Sequence, residues 1–483
     1  MTNNNANGSI NPNLPRRIFS WGIPIIIASS YCVLALQDDL RLSIAALAGM
    51  SAIVMVSLAI ALFVGDGGDI GWSPRTIIFL AVAFRLMFLF RSPELSSDIF
   101  RYLWDGLTLL HGNNPYSSAP TDAKPFAAAS ASLLNQVNHP HLITIYPPAA
   151  QIIFAMGAFV GGIAGIKTLL AGADIATCVI IMRILFHMKL PPSRAVLYAW
   201  HPLPILEIAG SGHIDGAGIF FLMLALMLLI PRNDFAAISF SNKGPSPAAG
   251  AAFSTAILVK LFPLVFFPLF LFLAGGKGRG PFILGAVIGC AALSIPFLPG
   301  LFNMFTTLGV YARNWEFAGF AFQALHKVFP DGVTARLILA AAFFLAAATL
   351  YASLFRKRAN PAEDAYTPLL FPEAFKTAYC VALAFLLLTP TLHPWYALYL
   401  ACLLPFVPGT AGLVLTWAVL LSYRVLINFA LLGAWEEKDA IPAIIWLAAV
   451  GAPILCGLAG KRALNFFRRG KAPPPSSETC DTR

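Results

Sequence analysis

Charge is scarce in this chain. Asp, Glu, Lys and Arg make up 11% of its 483 residues, against roughly 25% in an ordinary soluble domain, which excludes a large water-exposed surface. Cysteine pairing is also missing from the pattern: seven cysteines are present without a Cys-x-x-Cys. Cys32, Cys178, Cys290, Cys380, Cys402 and Cys456 fall in apolar segments and Cys480 in the tail. Neither a disulfide framework nor a metal-thiolate site is indicated. No polar stretch long enough for a sizeable soluble domain separates the apolar runs. Apolar residues, by contrast, make up 58% of the chain, with a mean hydropathy of +0.76. Their runs approach or exceed the length that crosses a hydrocarbon core of roughly 30 Å. The chain therefore reads as an all-α polytopic integral membrane protein whose working parts are helices and the loops between them.

The net charge of +10 does not point to nucleic acid, because the basic residues cluster at segment ends: Arg16 and Arg17, Arg356 to Arg358, Arg468 to Lys471. That is the positive-inside bias of membrane topology. The first apolar run follows Arg16 and Arg17 like a signal peptide, yet it is long and lacks a small-x-small cleavage site, so it reads as a retained crossing.

Thirteen crossings are predicted, at 18–36, 43–64, 76–91, 168–187, 195–209, 214–230, 249–274, 281–298, 336–355, 376–390, 395–407, 411–430 and 441–459. With Arg16 and Arg17 in the cytoplasm, residues 93–167 form a large external loop with interfacial helices. Arg183, Lys189 and Arg194 mark the next inside turn, so only one of the segments 147–163 and 168–187 can span. The shorter is assigned as interfacial or re-entrant, since Pro147 and Pro148 open it and glycines close it. The same logic splits 249–274 into two half-crossings that meet at Lys260 and Pro263. Residues 1–17 are then a cytoplasmic N-terminus, 18–459 the membrane domain, and 460–483 a basic, disordered cytoplasmic tail. The external side collects 93–167, 210–216, 299–334, 389–396 and 435–439, and with them most of the histidines and clustered acids.

Between the runs lies SSDIFRYLWDGLTLLHGNNPY, residues 96–116. Ser96 or Ser97 caps a helix that ends at His111 to Pro115. Asp98, Arg101, Tyr102 and Asp105 stand at i, i+3, i+4 and i+7 on one face, with Ile99, Phe100, Leu103, Leu107 and Leu110 opposite. The element should lie at the membrane surface with its polar face toward protein or water. Such a helix is either a site or simply an amphipathic helix laced by an Arg101 ion pair to Asp98 or Asp105.

Five other polar groups stand out. GSGHIDG places His213 and Asp215 at a helix junction, with Glu207 near the same turn; Asp215 also suits a plain N-cap, and two ligands do not make a metal site. Lys260 sits in an apolar run, where a cation is paired, cavity-facing or snorkelling. His393, Trp395 and Tyr396 lie at an external helix end, where an aromatic belt accounts for the Trp and Tyr but not for the His. Tyr311, Arg313, Asn314, Trp315 and Glu316 form a polar and aromatic cluster suited to sugar stacking, phosphate pairing or a plain surface loop. Asp174 and Arg183, nine residues apart, read as an internal packing pair or a cytoplasmic anchor.

Six motifs in order, SSDIFRYLWDG with HGNNPYSSAP, YPPAAQ, WHPLPILEIAGSGHIDG, LVKLFPLVFFPL, YARNWEF and TPTLHPWYALYL, resemble the GT-C superfamily of polyprenyl-phosphate-sugar-dependent glycosyltransferases. Across roughly residues 76–430 the chain is most similar to the bacterial group that includes actinobacterial polyprenyl-phosphate-mannose-dependent mannosyltransferases. The resemblance implies a hexosyltransferase, mannose-like in its sugar, that moves a hexose with inversion from a polyprenyl-phosphate sugar to an acceptor hydroxyl on the external face of a bacterial plasma membrane. It implies Asp98 as the general base, and Lys260 and His393 at the donor phosphate; Arg101, which either holds Asp98 ionised or binds phosphate, and Arg313 are expected beside them. The acid of the second external loop, Asp215, is also implied near the acceptor, and the further candidates around the substrates are Tyr102, Asp105, Asn114, Tyr116, Glu207, His213, Trp315, Glu316, Trp395 and Tyr396. Related aminoarabinose enzymes carry a lysine before the Pro-Pro pair where this chain has Tyr146, which leaves that second phosphate contact unsupported. The expected partners are the lipid-linked sugar, a glycan, glycolipid or protein acceptor, and the bilayer. No cofactor is required by the resemblance, and a divalent metal is left open.

The competing reading is a flippase or transporter of the lipid-linked sugar, which would favour paired broken helices in two halves; one break, at Lys260, is visible. A sugar-binding subunit is a third, retaining the aromatics without needing Asp98.

Overall fold

A computed structural model describes residues 14–66, 71–123, 129–230, 247–358, 370–437 and 440–469. The expected cytoplasmic start up to residue 13 and the expected disordered tail from residue 470 lie outside these residues, whereas 460–469 of that tail continue the helix Ala440–Arg469. Among them the chain is helical, with only isolated bridges joining Phe317 and Ala318 to Thr391. Helices α1 (Leu14–Ala35), α2 (Ile44–Asp66) and α3 (Pro74–Leu89) match the first three predicted crossings, and α4 (Asp98–Leu110) matches the helix read in the 96–116 stretch. A short α5 (Ala129–Leu134) precedes the long α6 (Pro148–His187). Seven of the described helices are long and apolar enough to cross a membrane, eight with the bent pair Pro202–Gly210 and Asp215–Leu229 counted as one span. The other expected crossings are shorter or broken, among them Ser20–Ala35 and Pro247–Val259. Large apolar side chains such as Phe63, Phe79, Phe159 and Leu345 stand at least 70% exposed on the outside of the bundle, as lipid-facing positions do.

The chain reverses inside α6. A Cβ on Gly157 would sit 2.5 Å from Ile166 Cγ1, and one on Gly165 would sit 2.2 Å from the Gly157 carbonyl oxygen. Nine residues of continuous helix would separate Gly157 from Ile166 by roughly 13 Å, so 148–160 folds back on 163–187 at the non-helical Gly161 and Gly162. Only glycine permits so close a backbone approach. The expected break at VKLFP is also present. The helix Pro247–Val259 stops before Lys260, a 3-10 turn covers Phe262–Phe266, and the helix Phe267–Ser294 is kinked at Gly275. Gly285 abuts Pro247 and Gly289 abuts Ala251. Their matching order makes Pro247–Val259 parallel to 276–294, so 262–274 runs back between them.

Side-chain contacts sort the connections onto two ends of the bundle. At one end Lys167 Nζ donates to the Phe88 and Arg91 carbonyls, and Arg91 reaches the Ala35 and Gln37 carbonyls. At the other, Trp72 donates to the Ser20 carbonyl, the His187 ring meets Phe371, and Glu373 pairs with Lys357 and Lys376. Arg85, 2% exposed, pairs with fully buried Asp174 at 2.6 Å, and the Tyr198 hydroxyl donates to the same carboxylate. Asp174 therefore does not pair with Arg183 as its spacing suggested: its partner is on α3, and Arg183 is exposed.

Candidate active site

α4 begins at Asp98, whose backbone N–H is met by Ser96 Oγ at 3.3 Å. Its Arg101, Tyr102 and Asp105 face is buried in protein, and Gly106 lets it cross α6 with the Phe154 carbonyl 2.5 Å from where a Cβ would stand. Of the predicted apolar face, Phe100, Leu103 and Leu107 are half-buried and Leu110 is exposed, but Ile99 is fully buried. It lies under the GSGHIDG turn, where a Cβ on Gly212 would be 2.5 Å from Ile99 Cδ1. Gly212 also has φ +76°, a left-handed conformation costly to other residues. Glycine is thus required twice at the point where the turn seats against α4, and the next residue is His213.

That turn follows a π-helical segment, Ile205–Gly210, with the His213 N–H bonded to the Glu207 carbonyl at 2.9 Å. Extra residues wound into a helix in this way often mark functional positions. The His213 ring, 1% exposed, lies with Nε2 3.3 Å from Glu207 Oε2 and Nδ1 3.9 Å from Asp98 Oδ2. Tyr423 holds Glu207 from behind, its hydroxyl 2.8 and 2.9 Å from the two carboxylate oxygens.

Asp98 retains 23% exposure of its side chain. Tyr146 donates to Oδ2 and Asn138 to Oδ1, both at 3.3 Å. Burial pushes the Asp98 carboxyl above its ordinary value, against the smaller opposing effects of the Lys260 charge and of the Asn138 and Tyr146 bonds. Lys260 stands at the helix break with Nζ 3.2 Å from Asp215 Oδ2 and 5.9 and 5.6 Å from the Tyr146 and Tyr396 ring centres. Asp215 is fully buried, and its Oδ1 has no partner among the described residues.

The turns 315–318 and 389–396 clasp one another through Phe317 N–H to Pro390 O, Leu392 N–H to Phe317 O, and the Thr391 hydroxyl to Trp315 O. A stack of rings runs from them to the turn: Phe317 on His393 at 4.7 Å, His393 on Trp395 at 4.3 Å, and Trp395 on His213 at 4.0 Å. Tyr396 and Tyr311 join hydroxyl to hydroxyl, and Tyr311 stacks on Trp315, which meets the His139 ring edge-on.

The structure thus gathers Asp98, Tyr102, Glu207, His213, Asp215, Lys260, His393, Trp395 and Tyr396, with Trp315 at the margin. Other residues singled out in the sequence are engaged elsewhere. Arg101 bonds Asp105 at 2.8 Å and the Leu142 carbonyl at 3.0 Å, leaving Asp98 to other partners. Asp105 also accepts from Gln151. Asn114 bonds the Phe297 carbonyl, and Tyr116, fully buried, the Tyr146 carbonyl. Arg313 is exposed, and Glu316 pairs with Arg336 at 3.4 Å. Asn138, His139 and Tyr423 were not singled out, and Tyr146 was named only as standing where related enzymes carry lysine. A tyrosine in the apolar run before Arg424 was the available signal for Tyr423; nothing in the sequence marked Asn138.

The chemical inventory is a partly exposed carboxylate, an ammonium at a helix break, a deeply buried His-Glu pair and several ring faces. A carboxylate of raised basicity can accept a proton, an ammonium can neutralise an anion, and ring faces can hold a sugar. A family model described as MptA_B family, alpha-(1->6)-mannopyranosyltransferase, N-terminal domain, matches residues 24–276. The match covers α4, the GSGHIDG turn and Lys260, and ends before the 311–316 and 389–396 segments. No curated protein and no solved structure matches the chain.

Proposed function

The chain belongs to the alpha-(1->6)-mannopyranosyltransferase family, and from that premise we propose that it moves mannose from a polyprenyl-phosphate donor to an acceptor hydroxyl at the Asp98 end of the bundle. The observation that supports this reading best is a partly exposed carboxylate, Asp98, and the ammonium of Lys260 brought to the same residue: the Tyr146 hydroxyl donates to Asp98 and its ring centre lies 5.9 Å from Lys260 Nζ. Asp98 takes the proton of the acceptor hydroxyl as its oxygen bonds to C1. The C1 to phosphate-oxygen bond breaks, and the phosphate leaves with one more negative charge than it had as a diester. Lys260 neutralises that charge, and electrostatic stabilisation of this kind is commonly the largest single contribution to rate. A single displacement inverts C1, so an α-linked product requires a β-linked donor. The family's α-(1→6) description makes a primary 6-hydroxyl of a mannosyl residue the proposed acceptor group. Trp315, Trp395 and Tyr396 supply ring faces for the sugars.

A lipid donor fits a site set among membrane-crossing helices, because its hydrocarbon chain stays in the bilayer while the sugar phosphate reaches the helix break. The end of the bundle carrying Asp98 is proposed to face outward across a bacterial plasma membrane, since the basic cluster 356–358 belongs to the other end. No metal enters the proposed displacement. The test is transfer of labelled mannose by the purified protein in lipid, wild type beside Asp98→Asn. Transfer by the first and its near loss in the second supports the reading. Movement of the intact donor across proteoliposomes, without transfer, would support the flippase.

A further inference from the structure

We propose that Asn138 is a positioning residue for the base: its side-chain amide, oriented by Ser97, holds the Asp98 carboxylate in the orientation that the acceptor hydroxyl meets. This rests on the reading of Asp98 as the base. Asn138 Nδ2 donates to Asp98 Oδ1 and the Tyr146 hydroxyl to Oδ2, both at 3.3 Å, so each carboxylate oxygen has a donor of its own. The Ser97 hydroxyl donates to Asn138 Oδ1 at 2.8 Å. That bond occupies the carbonyl end of the amide and turns its NH2 end toward Asp98, the end from which a carboxylate can accept.

Local structure on both sides of the amide serves this contact. Ser97 stands at the N-cap position of α4, where a serine commonly accepts from the helix's own N–H groups, yet its side chain makes no such bond and turns to Asn138 instead. His139, the next residue along, has φ +48°, a left-handed conformation uncommon outside glycine, and Pro140 after it favours an extended predecessor. The turn is nevertheless pinned. The Leu142 N–H bonds the His139 carbonyl and the Thr121 N–H the Pro140 carbonyl, both at 3.0 Å, Arg101 donates to the Leu142 carbonyl at 3.0 Å, and the His139 ring meets Trp315 edge-on at 4.6 Å. Strained backbone held by its surroundings in this way clusters at functional sites. Asn138 itself is exposed, so burial does not account for its place.

The contact bears on geometry and on charge. A carboxylate offers about four acceptor directions; Asn138 and Tyr146 take two, and the 23% of the Asp98 side chain that stays exposed is left to the acceptor. Burial raises the Asp98 carboxyl, and the Lys260 charge and then the Asn138 and Tyr146 bonds oppose it. A donor to a carboxylate favours its ionised form, so Asn138 helps to keep the base charged until the acceptor arrives. The charged and titratable groups facing Asp98 from neighbouring elements are Lys260, His139, His213, Glu207 and Asp215, with the phenols of Tyr102, Tyr146 and Tyr311. A change at residue 138 leaves all of them in place. The acceptor proton still passes to Asp98; Asn138 neither gains nor loses one.

The test measures transfer from polyprenyl-phosphate mannose to a mannoside acceptor in lipid, across pH, for the unaltered protein, Asn138→Ala, Asn138→Asp, Ser97→Ala and Asp98→Asn. Asn138→Ala should lower kcat/KM roughly tenfold by releasing the base from its orientation, and should move the acid limb of the pH profile up by about half a pH unit. Asn138→Asp, nearly isosteric, replaces the donor with a second carboxylate and should move the limb further in the same direction. Ser97→Ala frees the amide to turn and should shift the limb upward too; added to Asn138→Ala it should change nothing more, because the two residues act in series. Folded Asn138 variants with rate and limb unchanged overturn the proposal. So does a loss of rate with the limb unmoved, the mark of a merely structural turn. If Asn138→Ala does not fold, Asn138→Asp and Ser97→Ala are judged by the limb. An inactive Asp98→Asn beside Asn138 variants that behave like the unaltered protein removes the positioning and leaves the base; normal transfer by Asp98→Asn removes both.

Discussion

Replacing Lys260 with methionine removes the ammonium that lies 3.2 Å from a fully buried Asp215 carboxylate. At an effective dielectric of about 20, a pair at that distance interacts by about 5 kcal/mol before desolvation is subtracted. Breaking a buried pair from one side costs about 3–5 kcal/mol, because the remaining charge stays behind. Lys260 keeps 21% exposure, so water already screens part of the interaction and the lower figure, about 3 kcal/mol, applies. Thermal unfolding of the 483-residue protein in detergent should then fall by about 3 °C. Lys260→Met with Asp215→Asn removes both charges and should recover most of that loss. Transfer should not recover, because the phosphate has lost its cation. The two readouts separate a structural pair from a working one. A double variant that regains both stability and transfer would make Lys260 structural alone. A Lys260→Met protein melting like the unaltered one would refute the pairing itself.

Asp98 yields a pH prediction of definite sign. Its carboxyl is held above the ordinary value by burial, and it acts as a base only when ionised. The acid limb of kcat/KM should therefore fall above the usual carboxylate value of about 4, and a limb at or below that value would refute the assignment. Because the raised value disfavours the ionised form in the folded protein, Asp98→Asn should not lower the unfolding temperature near neutral pH. Gly212→Ala places a methyl 2.5 Å from Ile99 Cδ1 at φ +76°. It should cost about 1–2 kcal/mol for the backbone conformation, with a further loss from moving Ile99, and should reduce transfer through Asp98 on the same helix; unchanged melting and transfer would show that the turn does not need glycine.

Much of the fold could be read from hydropathy, because lipid imposes long apolar runs and polar breaks. The predicted runs at 43–64, 214–230 and 336–355 lie close to Ile44–Asp66, Asp215–Leu229 and Val333–Arg358. The reversal within α6 could be anticipated because the inside charges at Arg183, Lys189 and Arg194 required an odd number of crossings where two apolar segments stood, and the break at Lys260 because inside charges on both flanks excluded a single crossing. Partner choice could not be read, since it depends on which helices become neighbours. Asp174 meets Arg85 from α3 rather than Arg183 from its own helix, and Tyr423 reaches Glu207 across 216 positions of sequence. Helical spacing allowed Arg101 to pair with Asp98 or Asp105; the structure selects Asp105, with the Leu142 carbonyl completing the contact. Tyr146 was noticed only for not being lysine, yet its hydroxyl is bonded to Asp98 and its ring lies under Lys260.

The central claim is that mannosyl transfer runs through Asp98. Purified protein in lipid, supplied with labelled polyprenyl-phosphate mannose and a mannoside acceptor, tests it most directly when wild type and Asp98→Asn are compared at matched folding. A product α-(1→6)-linked in the wild type, with the rate of the variant lower by roughly a hundredfold or more, is the predicted result. Equal rates in the two proteins would contradict the account.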